Sequence, residues 1–450
     1  MIRQLLCKPK PIVTLVFFRI LFGIVALAST LRFIGKGWVE ELYQTPTYFF
    51  TYYGFDWVKP FDGPWVYAPF VLMILASIGI ILGFRFKLAS VLYFLSFTYV
   101  ELLDKTNYLN HYYLFSLLAF LLIFLPANAA FSLDLKFGRV KQRETAPAYF
   151  LYIILFQLSC VYFFAGIAKL NYDWLLEAQP MATWLQSHRD MPILGDLFAQ
   201  KWVAYLFSWI GCFYDLFIVG FLLLKKTRPL AYVAVIGFHI LTAVLFPIGV
   251  FPYVMIVMTL LFFDSSTHLH LLEKIGYKST TITSENIQPS SFSKSKIFLI
   301  STYVCIQLFL PIRNLLYPGE LFWNEEGYRF SWRVMLMHKE GLATFYVQDQ
   351  ATGGEIEIDN TKYLNQRQIE QMSTQPDMIL QYAHYLRDQF QDSILVIGDK
   401  YYPITNPNVV ADVYVALNGR NAMKMIDKST VLNKEKYNLK HREWLLPYKK

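Results

Sequence analysis

Long apolar runs separated by short polar stretches fill the chain up to about residue 317, after which the pattern becomes polar and mixed. A helix needs roughly 20 apolar residues to cross the hydrocarbon of a bilayer. On that measure the chain predicts spans at 12–34, 65–83, 87–103, 111–127, 148–169, 202–224, 229–247, 249–263 and 295–313. The third and fourth are short, and the seventh and eighth run almost together. Residues 264–295 are Ser/Thr-rich without apolar period and are expected to form a mobile loop, with His268 and His270 solvated in it. In the polar part, Phe330 to Met335, Ala343 to Val347, Glu355 to Ile358 and Asp412 to Leu417 read as strands, with Gly353-Gly354 as a turn. Gln368 to Gln391 carries a helical period through Met378, Tyr382, Tyr385 and Leu386. No internal repeat is visible. The expected fold is a polytopic α-helical membrane protein of about nine transmembrane helices. Residues 1–317 form the membrane domain, and 318–450 form an extramembrane β-rich α+β domain.

Composition agrees with this reading. Hydrophobic residues make up 55% and charged residues 16%, where soluble domains carry roughly 25% charged. The net charge of +8 lies in the loops. Arg3, Lys8 and Lys10 precede the first span; Arg85 and Lys87 follow the second; Lys136, Arg139, Lys141 and Arg143 follow the fourth; Lys225, Lys226 and Arg228 follow the sixth. Lys274, Lys278, Lys294 and Lys296 lie between the eighth and ninth, so every second loop is basic. The positive-inside rule then places the N-terminus in the cytoplasm and the C-terminal domain outside, in a lumen or a periplasm. The charge therefore points to membrane lipid and not to nucleic acid. The first apolar run lacks a small-residue cleavage site and reads as a retained span. Cys7, Cys160, Cys212 and Cys305 show no metal-like spacing, so neither a disulfide framework nor a metal site is expected.

Polar groups at membrane depth carry the candidate chemistry, because they are costly there and face a cavity or a partner. Lys169 ends the fifth span. It can snorkel to the headgroups, pair with a charge, or sit in a partly dry pocket where its lowered proton affinity makes it a base. Asn110 and His111 open the fourth span at the same depth as Lys169. Asn110 can serve as a helix cap and His111 as an interfacial histidine, or the two can converge with Lys169 on one site. His239 lies mid-span, either as a bond between helices or as a ligand to substrate, just before a break at Pro247 and Gly249. Arg19 and Asp215 each lie roughly 12–15 Å in from the cytoplasmic side at about 1.5 Å per residue. They are expected to form a buried structural ion pair.

At these residues the chain resembles the vitamin K-dependent γ-glutamyl carboxylase family, whose membrane part is the horizontally transferred transmembrane (HTTM) domain. Leu103-Asp-Lys-Thr106 with Asn110-His111 is similar to one family segment, and Ala127-Asn128 with Ser132-Leu-Asp134 to the loop after it. Val161-Tyr-Phe-Phe-Ala-Gly-Ile-Ala-Lys-Leu170 with Asp173-Trp174 resembles the family signature. Phe238-His239 with Leu245-Phe246 and Ile248-Gly249, and Gln307-Leu-Phe-Leu-Pro311 followed by Tyr328-Arg-Phe-Ser-Trp332, continue the match in order. The resemblance implies that Lys169 deprotonates vitamin K hydroquinone, which O2 converts to the epoxide. A strong base formed on the way removes a γ-proton from glutamate, and CO2 adds to the carbanion. Asn110 and His111 match the pair that supports the oxygenated quinone. Ala168 stands where animal enzymes have a basic residue, and Phe330-Ser-Trp-Arg333 replaces their Tyr-Ser-Trp-Asp pattern. The chain ends at Lys450 and lacks the lumenal cysteines, so a bacterial-type homologue in an inner membrane is implied, without recognition of a propeptide.

Carboxylation also requires a groove for a glutamate-containing peptide or protein. Residues 328–347 are the candidate wall, with Trp332, Arg333, His338 and Lys339, against the alternative of an ordinary domain surface. Two other functions are compatible with the sequence: an enzyme that makes only the epoxide, and a non-catalytic quinone- or lipid-binding membrane protein. A transporter is disfavoured because no inverted repeat of broken helices is present.

Overall fold

The computed structural model describes residues 2–277, 293–350, 353–397 and 400–449. The apolar runs are helices in chain order: α1 (Val13–Gly35), α2 (Ala68–Leu82), α3 (Phe86–Leu103), α4 (Asn110–Phe124), α5 (Tyr149–Lys169), α6 (Lys201–Leu223), α7 (Arg228–Leu245), α8 (Phe251–Thr259), α9 (Ser265–Glu273) and α10 (Lys294–Ile312). Seven of them are long and apolar enough to cross a membrane among the described residues: α1, α2 with the turn before it, α3, α5, α6, α7 and α10 with the turn after it. The 15 residues of α4 rise only about 22 Å. Helix α8, with the turn to Phe262, meets α9 at a bend of 116°. The spans at 249–263 and 111–127 therefore exist as a bent pair and a short helix.

Glycines set the closest helix contacts. A Cβ on Gly23 of α1 would lie 2.6 Å from Ile81 Cγ1 of α2, and one on Gly166 of α5 would lie 2.8 Å from both the backbone nitrogen and Cγ of Leu216 of α6. Both helix pairs pack backbone to backbone at a distance that any larger residue forbids. Gly83, in the left-handed conformation after α2, has its missing Cβ position only 1.9 Å from Arg19 Nη1.

The C-terminal region has a four-stranded antiparallel sheet. In chain order the strands are β1 (Lys339–Asp349), β2 (Glu355–Glu357), β3 (Ser393–Ile397), β4 (Lys400–Ile404), β5 (Pro407–Leu417) and β6 (Met423–Ile426). The sheet order is β2-β1-β5-β6, and β3 pairs with β4 apart from it. The register sets Ala343 opposite Val413 and Phe345 opposite Ala411. Phe345, Val347, Val409, Ala411, Val413 and Val415 are fully buried, the period-two pattern of a sheet with one covered face. The segment read as one helix is two, α11 (Gln366–Met372) and α12 (Pro376–Phe390). Pro376 opens the second, and Met378, Tyr382 and Leu386 turn to the sheet while Tyr385 is half-buried.

Three expectations are corrected here. Arg19 does not pair with Asp215. It is fully buried and gives Nη2 to Phe131 O at 2.5 Å and Nη1 to Ile80 O at 3.4 Å. Depth along a helix says nothing of the face a side chain occupies, and Asp215 faces α5 instead. Residues 264–277 are not a loop, and of the two histidines only His270 is exposed. His268 is fully buried in α9, bonded to Thr14 Oγ1 and Leu260 O and stacked on Phe17 at 4.7 Å. The Ser/Thr-rich part, 278–292, lies outside the described residues. Phe330 to Met335 is not a strand. Phe330, Trp332 and Met335 take left-handed φ of 59°, 59° and 50°, at a cost of order 1–3 kcal/mol each. Contacts with the helices hold them: Phe330 N–H donates to Tyr108 O–H at 2.7 Å, and Trp332 stacks on Tyr113 at 4.9 Å.

The helical and β regions are clamped by charge. Gln368 donates to Asp104 Oδ2 at 2.9 Å, and Lys105 meets Asp377 at 2.8 Å. On the other flank Arg420 grips Asp173 at 2.6 and 2.8 Å, and Asn418 Nδ2 donates to the same carboxylate at 2.7 Å. The sequence segment Asp104-Lys105 is thus a docking element.

Candidate active site

Helix α5 stops because Asn171 turns the chain. Its Nδ2 donates to Ala168 O at 2.9 Å, while its Oδ1 accepts from Trp174 N–H at 3.0 Å and caps the next short helix. Trp174 is pinned to α6 by its indole N–H on Ser208 O at 2.7 Å. Lys169 runs back along its own helix toward the bundle, as helical side chains do. Its Nζ lies 3.4 Å from Ala165 O, 2.6 Å from Asp215 Oδ2 and 5.4 Å from the Trp174 ring. The side chains of Lys169 and Asp215 are only 7% and 8% exposed. The lysine does not snorkel outward. Gly166, one turn earlier, lets α6 approach and brings Asp215 within reach.

The pair faces a cavity of about 150 Å³ whose walls include Trp174, Trp184, Phe246 and His239. A cavity of about that volume has room for an aromatic ring. His239 of α7 is 3% exposed; its Nε2 shares a hydrogen bond with Tyr162 O–H at 3.2 Å, and Tyr162 in turn meets Thr259 Oγ1 at 3.2 Å. His239 Nδ1 has no partner among the described residues. A buried nitrogen without a partner, at the wall of a cavity that also holds a lysine–carboxylate pair, suits a flat apolar ring carrying two hydroxyl groups.

Asn110 and His111 open onto a second cavity of about 490 Å³, together with Asn107, Arg32, Glu41 and Arg367. Ile248, Phe251, Val334 and Met335 line both cavities and form the partition between them. The Phe251 ring lies 5.6 Å from His111 and 6.0 Å from His239. Lys169 and the Asn-His pair therefore occupy adjoining cavities and not a single one. The break at Pro247 and Gly249 lines the second cavity. Asn110 is the first residue of α4 and not its cap, which is Leu109. Its Nδ2 donates to Arg333 O at 3.1 Å and its Oδ1 accepts from Tyr108 O–H at 3.1 Å.

The expected peptide-groove residues are scattered. Trp332 is fully buried against Tyr113, and Arg333 donates to Asn314 Oδ1 at 2.8 Å. Lys339 pairs with Glu325 at 2.7 Å, both side chains about 5% exposed or less. Trp332 packs inward where the left-handed turns at Phe330 and Trp332 fold the segment onto α4, and Lys339, on β1, turns to Glu325 and Thr374 O. His338 touches Trp184, a wall residue of the first cavity: Trp184 Nε1–H donates to its Nδ1 at 3.4 Å, and its Nε2 meets Glu340 at 3.0 Å. Asp215 as the partner of Lys169 escaped the sequence reading. The available signal was a single lysine and a single aspartate in consecutive spans, which lipid compels to pair. No group of three or more metal-ligating side chains occurs among the described residues.

Comparison with known families gives two matches. The family model described as HTTM domain matches residues 7–266. The one described as vitamin K-dependent gamma-carboxylase, lumenal domain, matches residues 292–450. No solved structure matches the chain.

Proposed function

Because the chain belongs to the vitamin K-dependent gamma-carboxylase family, we propose that it is a membrane enzyme that epoxidises reduced vitamin K and uses the reaction to carboxylate glutamate in a peptide or protein. In this reading residues 1–317 are the membrane domain, and 318–450 the domain that faces the lumen or the periplasm. The N-terminus is cytoplasmic, as the basic loops indicate.

One observation carries the reading: Lys169 Nζ is buried 2.6 Å from Asp215 Oδ2 at the wall of an apolar cavity. A lysine–aspartate pair is neutral as a unit and holds one vacancy for a proton, on the amine or on the carboxylate. A hydroxyl brought to Nζ can give its proton to that vacancy. The pair then becomes a cation beside the oxyanion it has made, and few dipoles of water compete. His239 Nδ1 is free to bond a second ring oxygen, and Trp174 and Phe246 offer faces to the ring. When bound, the reduced naphthoquinone and O2 supply the base strong enough to take a carbon-bound proton. In this reading Asn110 and His111, across the partition at Phe251, support the oxygenated quinone from the second cavity. The apolar helices give a prenylated quinone its way in from the bilayer.

The test is turnover by the purified protein in detergent with reduced vitamin K, O2, labelled bicarbonate and a short glutamate peptide. The expected result is epoxide together with acid-stable label in the peptide. Epoxide without label reduces the function to an epoxidase, and neither product from folded protein leaves a quinone-binding protein.

A further inference from the structure

The second cavity contains features that a proton-transfer site does not need. Two guanidinium groups line it from different parts of the chain, Arg32 near the end of α1 and Arg367 in α11. Neither takes part in an ion pair or a side-chain hydrogen bond among the described residues. The Arg32 guanidinium lies 4.7 Å from the centre of the Trp38 ring. Such a contact orients the group and leaves its in-plane N–H donors available. Glu41 is the acid on the same walls, so the cavity carries an excess of positive charge. Asn107 also lines it, is 9% exposed, and its Oδ1 is buried without a partner. The unmet groups are thus two forked cation donors and one acceptor, the complement of a carboxylate next to a peptide N–H.

We propose that this cavity binds the glutamate side chain, with its carboxylate held by Arg32 and Arg367 and a backbone N–H of the peptide on Asn107 Oδ1. The proposal rests on the carboxylase reading of the adjoining cavity. It gives the arginines a chemical task as well as a binding one. When the γ-carbon loses its proton to the base made from the reduced naphthoquinone and O2, the C–H electron pair spreads onto the carboxylate, which approaches a second negative charge. Two guanidiniums stabilise that charge more than the ground state, which is what lowers a barrier. The same electron pair then bonds to the carbon of CO2, and the product carries two carboxylates on one carbon.

The test is equilibrium binding to the detergent-solubilised full chain, without quinone. The probes are a labelled, capped alanine-rich pentapeptide with one central glutamate and its glutamine counterpart. A charge-assisted contact predicts a preference of about tenfold or more for glutamate, which Arg32→Gln and Arg367→Gln each reduce about tenfold with the glutamine peptide unaffected. Both arginines are exposed, so folding, checked by circular dichroism, is expected to survive. Glu41→Gln removes the competing acid and should tighten the glutamate peptide about twofold to threefold. Equal binding of the two peptides to wild type, or a preference that survives both arginine changes, overturns the assignment. A preference in a protein that forms no epoxide refutes the carboxylase reading and keeps the pocket. Epoxide and fixed label with no preference does the reverse.

Discussion

Lys169–Asp215 and Lys105–Asp377 are both buried lysine–aspartate pairs, at 2.6 and 2.8 Å, and their surroundings differ. Asp377 is shared by two cations. Arg329 adds contacts at 2.8 and 3.3 Å, and Lys105 has a further acceptor in Tyr437 O–H at 3.1 Å. Burial alone would lift the Asp377 carboxyl, but Arg329 and Lys105 outweigh it and hold it well below the usual carboxylate range. Among the described residues Asp215 has Lys169 as its one ion-pair partner, and that lysine has besides it a carbonyl at 3.4 Å and the Trp174 ring at 5.4 Å. The first pair is saturated and clamps two regions together. The second is under-coordinated beside an apolar cavity. In the proposed function it is this unfilled coordination, and not the burial of a charged pair, that sets Lys169 and Asp215 apart.

This contrast can be broken by experiment, and the largest effect is expected at the clamp. Asp377→Asn leaves Lys105 and Arg329 buried without their counter-charge and should cost about 3–5 kcal/mol, read as a fall in denaturant midpoint. Unchanged stability would remove the saturated pair from the account. Next, Lys169→Met with Asp215→Leu replaces the cavity pair by apolar side chains and should leave stability equal or raise it by about 1–4 kcal/mol while abolishing turnover. The same exchange at Lys105 and Asp377 should destabilise, because Arg329 stays behind unpaired. If both exchanges behave alike, the two pairs do not differ as described. Gly166→Ala forces a methyl against the Leu216 backbone and should lose about 1–3 kcal/mol and most turnover, since α5 and α6 must separate. The smallest effect is in pH. The Asp377 value is depressed on folding, so its stabilisation is complete above the unfolded value of about 3.9 and is lost as pH falls through the lower folded value. The melting temperature should not respond to Asp377 between pH 7 and 5, and should show an acid step below about pH 4 that Asp377→Asn lacks.

Much of this was legible in the sequence, and the misses share a cause. Apolar runs fix the existence of helices because lipid requires internal hydrogen bonding. The span boundaries therefore shifted by only a few residues, as at Val13–Gly35 and Tyr149–Lys169. The alternation in β1 and β5 found the sheet. What periodicity cannot give is the direction in which a polar side chain points. Lys169 at a helix end was equally suited to snorkel outward or to turn inward, and Gly166 on the same helix, which admits α6, decided it. Arg19 found carbonyl partners in the last turn of α2 and in the loop after α4, which left Asp215 to Lys169. Phe330 to Met335 alternates as a strand should, but its aromatic rings pack on α4 and tertiary contacts outweigh the local pattern. Arg32 and Arg367 are more than 300 residues apart in the chain, and only the fold places them on one cavity.

The most direct measurement is the initial rate of epoxide formation from a reduced naphthoquinone and O2, without peptide, in wild type, Lys169→Met and Lys105→Met, each shown to be folded. The account predicts a loss of about 10²–10⁴-fold in Lys169→Met and of no more than about threefold in Lys105→Met. A rate retained in Lys169→Met, or lost equally in both, would contradict it.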